Sequence, residues 1–442
     1  MAAIKLVLEV LFLYASACFG SVVASEEGLE NLYNNIKEDA TLDTFTLVRK
    51  YGYPCEIHRM YTEDKYVLEM HRIPYGKYNT SRENRPVVLL QHGLLSTSAE
   101  WVLMGTDKGL GYLLAEAGYD VWMGNARGNT YSRSHVSIKP SSTIFWKFSW
   151  HEIGYYDLPA MIDYVIKETG CPKIQYVAFS QGTTAFWVMA STRPEYNDKI
   201  IAMQALAPVA YVGNIRSPLI KAIAPFTNSL ERIMRLIGSN EFMANGWINE
   251  IAGQKLCLEE SITQSLCTNI LFLLCGYNAQ QLNRTMLPVV LGHTPAGAST
   301  RQMIHFGQLY NSKKFTNFNH GWLKNKRTYG TFTPPAYNLS AITTPIFLHY
   351  GDNDWLAAPE DVNYLWREIK SVIDIGQSTV IARRLPPAAR SDSPDVTGPP
   401  RWGLSTLRLP VRGRHSSTLR PQHPSVLRAR CPAYCHFSFA TR

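Results

Sequence analysis

The chain has 442 residues, of which 45% are hydrophobic and 18% are charged, a balance that excludes a small disulfide-stabilised scaffold and a wholly disordered protein. Its net charge of +9 is uneven, because residues 374–442 carry 11 Arg and three Asp, whereas residues 1–373 carry 33 basic and 32 acidic side chains. The main body is therefore nearly neutral, which argues against nucleic-acid binding, and no basic run or zinc-finger spacing argues for it.

Residues 1–24 have the pattern of a secretory signal peptide. A lone Lys5 precedes an apolar run over residues 6–19, and small residues follow it. A transmembrane anchor is the alternative, but Glu9 interrupts the run, which is shorter than the roughly 20 residues that a span needs. We therefore expect a secreted mature chain with no transmembrane span. Secretion would also permit surface glycans at three acceptor sequons, Asn79, Asn283 and Asn338.

Apolar, β-rich runs alternate with helical patterns, as is typical of a parallel sheet covered by helices. The runs predicted as strands are Arg85 to Gln91, Tyr119 to Met123, Lys173 to Phe179, Ile200 to Leu206 and Pro345 to Tyr350. Apolar residues between Leu158 and Ile166 recur at helical spacing, and Gly170 followed by Pro172 predicts the end of that helix. The sequence thus predicts an α/β core in two parts, residues 25–210 and 336–373.

Residues 211–335 interrupt this rhythm with helical stretches such as residues 230–237 and 262–274. An insertion after the carboxyl end of a strand lies over the ligand crevice of a sheet enzyme, which predicts a cap or lid. Ordinary helical packing would produce the same pattern. Three cysteines crowd this insertion, where one disulfide can form in an oxidising compartment, and their spacing fits no metal site: Cys257, Cys267 and Cys275.

From about residue 374 the composition changes to Arg, Pro and Ser, with nine of the 25 prolines in 69 residues. Neither strand nor helix periodicity continues there. We expect residues 374–442 to be largely disordered.

A serine follows the third predicted strand and precedes a helical pattern. Such a strand, sharp turn and helix form a nucleophile elbow, which needs small residues two positions before and two after the serine because side chains there would clash. Ala178 and Gly182 occupy these positions around Ser180. The sequence predicts Ser180 as a nucleophile, and the alternative is a serine that only caps a helix.

An acyl-transfer site also needs backbone donors for the oxyanion. Gln181 N–H would be the first, and Leu94 N–H, presented by the turn after the strand that ends at Gln91, would be the second. His92 in that turn is interpreted as a turn-stabilising residue rather than a base, because the base of this arrangement comes last in the chain.

The triad acid is expected after a late strand, and the loop following Tyr350 supplies candidates. We choose Asp354, with Asp352 in reserve. The carboxylate would hold a histidine in the required tautomer and stabilise its imidazolium form.

Seven segments between about residues 32 and 373 carry a closer likeness. They are Asp43 to Pro54, Leu90-Gln-His-Gly-Leu-Leu, Asp120-Val-Trp-Met-Gly-Asn-Ala-Arg-Gly-Asn-Thr-Tyr-Ser, Tyr156-Asp-Leu-Pro-Ala-Met-Ile-Asp, Phe179-Ser-Gln-Gly-Thr-Thr, Ala205-Leu-Ala-Pro-Val-Ala and Gly351-Asp-Asn-Asp-Trp-Leu-Ala. On these segments the chain resembles the acid lipase family of the α/β-hydrolases, which includes gastric and lysosomal acid lipases.

The resemblance implies an α/β-hydrolase fold with a mostly parallel central sheet and an inserted helical cap over residues 211–335. It implies Ser180 as the nucleophile, Asp354 as the triad acid, and Leu94 with Gln181 as oxyanion donors. It further implies a Cys257–Cys267 disulfide, with Cys275 unpaired. The expected substrates are triacylglycerols or cholesteryl esters at an oil–water or membrane interface, in a secreted or lysosomal protein with no metal or organic cofactor.

The chain departs from the family pattern in two places. The usual Gly-His before the serine is Ala178-Phe179, a change expected to affect packing behind the elbow more than the chemistry. The family's catalytic histidine lies in an Asn-His-Leu-Asp-Phe turn, and no such segment follows Ile373. The catalytic histidine is therefore unassigned, since the only later histidines, His415, His423 and His436, lie among Arg and Pro.

Two classes of function follow from these features. The first is a lipid ester hydrolase that works through a serine acyl-enzyme, and the second is a non-catalytic lipid-binding or storage protein on the same scaffold. A peptidase or thioesterase is disfavoured only by the resemblance, because a triad alone does not specify the acyl group. The abrupt change near residue 374 suggests an out-of-frame, read-through or alternatively spliced C-terminus in a nearly inactive form.

The cysteine assignment predicts a simple labelling pattern. In native, unreduced protein a thiol reagent should modify Cys275 but neither Cys257 nor Cys267, because only a free thiolate reacts. Peptide mapping by mass spectrometry measures this, and labelling of both Cys257 and Cys267 would reject the pairing.

Overall fold

The structure is a computed structural model, and it describes residues 26–226, 240–243 and 283–370. The expected signal peptide, the helical stretches at residues 230–237 and 262–274, and residues 374–442 lie outside these ranges. The proposed cap disulfide also falls outside them, together with Cys275.

A mixed sheet forms the centre of the described part. In chain order the strands are β1 Glu56–Tyr61, β2 Tyr66–Ile73, β3 Val87–Gln91, β4 Asp120–Gly124, β5 Ser134–His135, β6 Ile174–Phe179, β7 Ile200–Leu206, β8 Glu241–Phe242, β9 Ala298–Ser299 and β10 Ile346–His349. The main sheet has the order β1-β2-β4-β3-β6-β7-β10, with β5 beside β2, while β8 and β9 pair separately. Strands β4, β3, β6, β7 and β10 are parallel.

The five strands predicted from apolar runs are all present, as β3, β4, β6, β7 and β10, with ends that differ from the prediction by at most two residues. Every residue of β3 and β4 is buried, as expected for parallel strands covered on both faces. The mostly parallel sheet of an α/β fold is thus confirmed.

The β1–β2 hairpin was not predicted, and it adds an antiparallel edge to the sheet. Its turn lacks the glycine or asparagine that usually marks such a connection. Lys65 adopts a φ of +70° instead, and its N–H donates to Thr62 O. Only Met60 is buried in β1, so no continuous apolar run marked this strand.

Helices cover both faces of the sheet. Within the described ranges, the α-helices of six residues or more are α1 Glu26–Asp39, α2 Thr44–Lys50, α3 Leu110–Glu116, α4 Leu158–Thr169, α5 Gln181–Thr192, α6 Pro218–Ile223, α7 Leu287–His293, α8 Thr300–Ser312, α9 Trp322–Tyr329 and α10 Pro359–Lys370. One apolar cluster joins α4, α5 and α10 to the sheet, and a second joins α2 and α3 to the opposite face. Helix α4 ends at Gly170, which adopts the left-handed conformation (φ +69°), as predicted.

A buried ion-pair network ties the loop after β4 to the start of α4. The Arg127 side chain is 1% exposed and donates from Nε to Asp157 Oδ1 at 2.7 Å and from Nη2 to Asp64 Oδ1 at 2.8 Å. Its guanidinium also lies 4.0 Å from the ring centroid of Tyr66. Because Asp157 is fully buried, its charge depends on this partner.

Replacing Arg127 should therefore destabilise the fold strongly. We expect Arg127→Leu to lower the free energy of unfolding by about 3–5 kcal/mol, because it leaves Asp157 as an uncompensated buried charge. Arg133 forms an ion pair with Glu241 but is 44% exposed, so Arg133→Leu should change stability by less than about 1 kcal/mol. Urea titration followed by circular dichroism measures both, and equal effects would contradict the assigned importance of the network.

Candidate active site

Ser180 lies at a sharp turn between a strand and a helix. Strand β6 ends at Phe179 and α5 begins at Gln181, leaving Ser180 between them with φ +49° and ψ −118°. A non-glycine residue rarely adopts this conformation, and such strain is typical of functional sites. The Ser180 N–H donates to Leu206 O at 2.9 Å, which ties the turn to the end of β7.

Gly182 allows α5 to approach β3 at the distance of backbone contact. A Cβ atom on Gly182 would lie 2.6 Å from Gln91 O, 2.8 Å from His92 O and 3.2 Å from Ala178 Cβ. No side chain fits there, which is the physical reason for a small residue two positions after the serine. Ala178 is fully buried behind the turn, so the added methyl is accommodated.

The position of the Phe179 side chain differs from the expectation that replacing the family's Gly-His by Ala178-Phe179 acts mainly behind the elbow. Its side chain is 38% exposed rather than buried behind the turn. Its ring covers Gly93, since a Cβ on Gly93 would lie 3.0 Å from Phe179 Cδ1.

The turn after β3 lies directly against the serine. A Cβ on Gly93 would lie 3.3 Å from Ser180 Cβ. Leu94 follows in this turn, and Gln181 is the first residue of α5, where backbone N–H groups have no partner within the helix. The two predicted oxyanion donors thus belong to two segments that meet at Ser180.

His92 stabilises this turn with both ring nitrogens. Nδ1 donates to Gly93 O at 2.7 Å, and Nε2 accepts from the N–H of Ala126 at 3.0 Å. Burial lowers the pKa of His92 to about 4. With its only basic nitrogen already accepting a hydrogen bond, His92 is not placed to act as a general base for Ser180.

Two threonines after the serine hold the first turn of α5, a role that the sequence motif did not reveal. Thr183 Oγ1 donates to Ser180 O at 2.6 Å and accepts the N–H of Val209 at 2.9 Å. Thr184 Oγ1 donates to Val209 O at 2.7 Å. Both threonines are fully buried, so they fasten the strained turn to the segment after β7.

Asp354 and Asp352, the two candidates for the triad acid, lie in the same loop but in different surroundings. Strand β10 pairs with β7, whose last residue, Leu206, accepts the N–H of Ser180, so the loop after β10 starts one strand away from the serine. Asp354 Oδ1 accepts the N–H groups of Leu356 at 2.8 Å and Ala357 at 2.9 Å. Its Oδ2 accepts no hydrogen bond from the described residues, and Asp352 is exposed.

No histidine in the described ranges completes a triad. Nine of the 12 histidines are described, and none of them is hydrogen-bonded to Ser180 or Asp354. The other three, His415, His423 and His436, lie outside the described residues. Within the same ranges no group of three or more His, Cys, Asp or Glu side chains could hold a metal ion.

The first turn of α8 and the segment before it contact both halves of the site. The Ala296 N–H donates to Leu95 O at 2.7 Å, beside the predicted donor Leu94. Gln302 Oε1 accepts from Gln181 Nε2 at 2.6 Å, beside the nucleophile. These residues of the predicted cap were not identified from the sequence, because no local pattern links them to the serine motif.

Glu100 is a further residue that the sequence did not reveal. Its Oε2 accepts the N–H of Gly93 at 2.9 Å, which fixes the turn one residue before Leu94. Burial raises the pKa of Glu100 to about 7, although the hydrogen bonds from Gly93 and Ser96 favour the charged form.

The three glycosylation sequons are compatible with surface modification. Asn79, Asn283 and Asn338 are all exposed. None of the helices in the described ranges is long and apolar enough to span a membrane.

Comparisons with known proteins agree with this geometry. Residues 44–105 match a family model described as a partial alpha/beta-hydrolase lipase region, and residues 86–382 match the alpha/beta hydrolase fold. The chain is 48% identical over 321 residues to Lipase 3 of Drosophila melanogaster, covering 73% of this chain and 82% of that protein. It is 39% identical over 358 residues to gastric triacylglycerol lipase of Rattus norvegicus, covering 80% and 90%. The human gastric triacylglycerol lipase is 38% identical over 355 residues, covering 80% and 88%.

A strained serine between a parallel strand and a helix, packed against a backbone turn, has the geometry of the nucleophile elbow of an α/β-hydrolase. The chain belongs to the acid lipase family of this superfamily.

The environment of Glu100 makes stability depend on pH. A pKa of about 7 in the folded state, against about 4.3 for an unperturbed glutamate, means that the unfolded state releases this proton at lower pH. The Glu100 contribution to stability therefore falls as pH rises from about 4.3 to about 7.

Glu100→Gln removes this dependence. We expect the variant to gain about 1–3 kcal/mol in unfolding free energy over the parent at pH 8, and little at pH 4. Urea unfolding at the two pH values measures the difference, and Glu83→Gln, at an exposed position, serves as the control. A gain that does not grow with pH would contradict the raised pKa.

Proposed function

We propose that this protein is a lipid ester hydrolase that acts through an acyl-enzyme on Ser180. The observation that supports the proposal is the strained Ser180 turn, which packs against Gly93, the residue before the proposed donor Leu94. The lipases among its relatives, including gastric triacylglycerol lipases, support a lipid ester such as a triacylglycerol as the substrate. Cholesteryl esters are the second substrate class, which the resemblance implies.

In the proposed mechanism, Ser180 Oγ attacks the ester carbonyl while a histidine takes its proton. The N–H groups of Leu94 and Gln181 stabilise the negative charge on the carbonyl oxygen of the tetrahedral intermediate. The histidine returns the proton to the leaving alcohol, and the acyl group stays on Ser180. Water, activated by the same base, then releases the fatty acid. Asp354 orients the histidine throughout, and no cofactor is required.

We infer that the chain enters the secretory pathway and works at an oil–water or membrane interface. The signal-peptide pattern over residues 1–24 supports entry, as do three exposed sequons. The gastric lipases among the relatives are consistent with a secreted or lysosomal location. The cap predicted over residues 211–335 would cover the site and carry its lid.

The proposed mechanism needs a histidine as its base, and this chain does not contain the family segment that carries it. We propose that residues 374–442 replace the segment that normally supplies the base, so that the 442-residue form is nearly inactive. The absence of any histidine between Asp354 and His415 supports this. The same observation favours a second candidate, a non-catalytic lipid-binding or storage protein that retains the scaffold.

A matched pair of proteins tests both proposals. The 442-residue chain is compared with a version whose residues 374–442 are replaced by a family-type final segment carrying the Asn-His-Leu-Asp-Phe turn, and both are assayed on emulsified triacylglycerol. We expect hydrolysis from the second protein alone, and we expect Ser180→Ala in it to lower kcat by about three orders of magnitude or more.

The outcomes separate the proposals. Comparable hydrolysis by both proteins would show that the 442-residue form has a base, and loss of activity in His415→Ala, His423→Ala or His436→Ala would identify it. Undiminished turnover by Ser180→Ala would reject Ser180 as the nucleophile. Lipid binding without hydrolysis by the repaired protein would favour the storage role.

A further inference from the structure

Three large apolar side chains project from α9 and the loop that follows it. Trp322 is 65% exposed, Leu323 is 57% exposed and Phe332 is 54% exposed. The rings of Trp322 and Phe332 lie 6.0 Å apart, centroid to centroid, so they form one surface. We call Trp322, Leu323 and Phe332 the α9 patch.

The fold holds the α9 patch in place from beneath. Asn325, on the inner side of α9, is 1% exposed and donates from Nδ2 to Asn319 Oδ1 at 2.8 Å and to Phe332 O at 3.0 Å. Its Oδ1 accepts the N–H of His320 at 2.9 Å. One buried amide therefore joins the turn before α9, the helix and the loop after it, so the exposure of the patch belongs to an ordered structure.

The charged side chains of α9 are all basic. Lys324, Lys326 and Arg327 are exposed on the same helix, and Lys326 Nζ lies 5.3 Å from the ring centroid of Phe332. Between Glu260 and Asp352 the sequence contains seven Lys or Arg and not a single Asp or Glu. In a body of nearly balanced charge, this stretch of 91 residues is exceptional.

The α9 patch is also connected to the active site through α8. Gln308 of α8 donates from Nε2 to Asn319 O at 3.0 Å and accepts the Asn319 N–H at 2.8 Å, which anchors the turn before α9. Two turns earlier on α8, Gln302 contacts Gln181 beside the nucleophile. Six residues of helix separate the two contacts, or about 9 Å at 1.5 Å per residue.

We propose that the α9 patch docks this protein onto a lipid surface that carries anionic headgroups. Tryptophan and phenylalanine side chains insert into the headgroup region of a membrane. Neighbouring lysine and arginine side chains bind the anionic lipid headgroups. A protein partner is a poorer fit, because protein interfaces are depleted in lysine. The inference rests on the proposal that the protein acts at a lipid surface, and it names the element that makes the contact.

Vesicle flotation of the full chain tests the inference without requiring hydrolysis. Binding is measured on phosphatidylcholine vesicles with and without phosphatidylglycerol. We expect preferential binding to the anionic vesicles, and a reduction of at least about tenfold when Lys324, Lys326 and Arg327 are all changed to Gln. Trp322→Ser with Leu323→Ser should reduce binding by a similar factor, whereas Trp322→Phe should retain it.

A control at the opposite end of the sheet matches these changes. Tyr78 is 82% exposed, and Arg82 lies nearby in the loop that enters the amino end of β3, away from the carboxyl ends where Ser180 lies. Tyr78→Ser with Arg82→Gln should leave flotation unchanged.

Three results would overturn the inference. The first is unchanged flotation of the triple Gln variant or of the variant with Trp322→Ser and Leu323→Ser. The second is equal binding to both kinds of vesicle. The third is a dimer in light scattering that Trp322→Ser dissociates, which would identify a second copy as the occupant. Because no turnover is measured, each of them leaves the proposed hydrolase chemistry intact.

Discussion

The backbone of α5 lies closer to β3 than any side chain would permit. At Gly182 the helix meets the carbonyl oxygens of Gln91 and His92 at distances that leave no room even for a methyl group. This approach brings the amino end of α5 to the turn that carries Gly93 and Leu94. Ser180, the first residue of the helix and the turn that carries Leu94 come together because of that one contact. A larger residue at Gly182 would separate them, even if each kept its own local structure.

The strained backbone at Ser180 is held by several independent attachments. The serine N–H donates to Leu206 O, and Thr183 and Thr184 join the next turn to Val209. Each bond is individually modest, but the groups are buried and fully paired, which makes their loss costly. The site therefore draws its rigidity from β7 and the segment behind it as well as from the elbow. The loop after β10, which carries Asp354, depends on the same strand, since β10 pairs with β7.

Much of the fold and of the site follows from local sequence signals. Continuous apolar runs identified the five parallel strands, and Gly170 marked the end of α4. Small residues around Ser180 identified the elbow, because its sterics demand them. The β1–β2 hairpin was not predicted, because Lys65 adopts the left-handed conformation that a glycine usually adopts in such a turn. Glu100 and Gly93 lie 7 positions apart in the chain, and Gln302 and Gln181 lie 121 positions apart. No periodic pattern in the sequence indicates that these residues are in contact.

The close packing at Gly182 also has a consequence for biosynthesis. The attachments around Ser180 come from residues 91–94, 180–184, 206–209 and 296–302, which leave the ribosome at widely separated times. Until all of them are present, fewer contacts oppose relaxation of the serine into an ordinary backbone conformation. A nascent or partly folded chain consequently carries an unreactive hydroxyl at this position. In the proposed hydrolase, reactivity toward esters would arise only on completion of the tertiary structure, so a chain still folding would not attack the lipids around it.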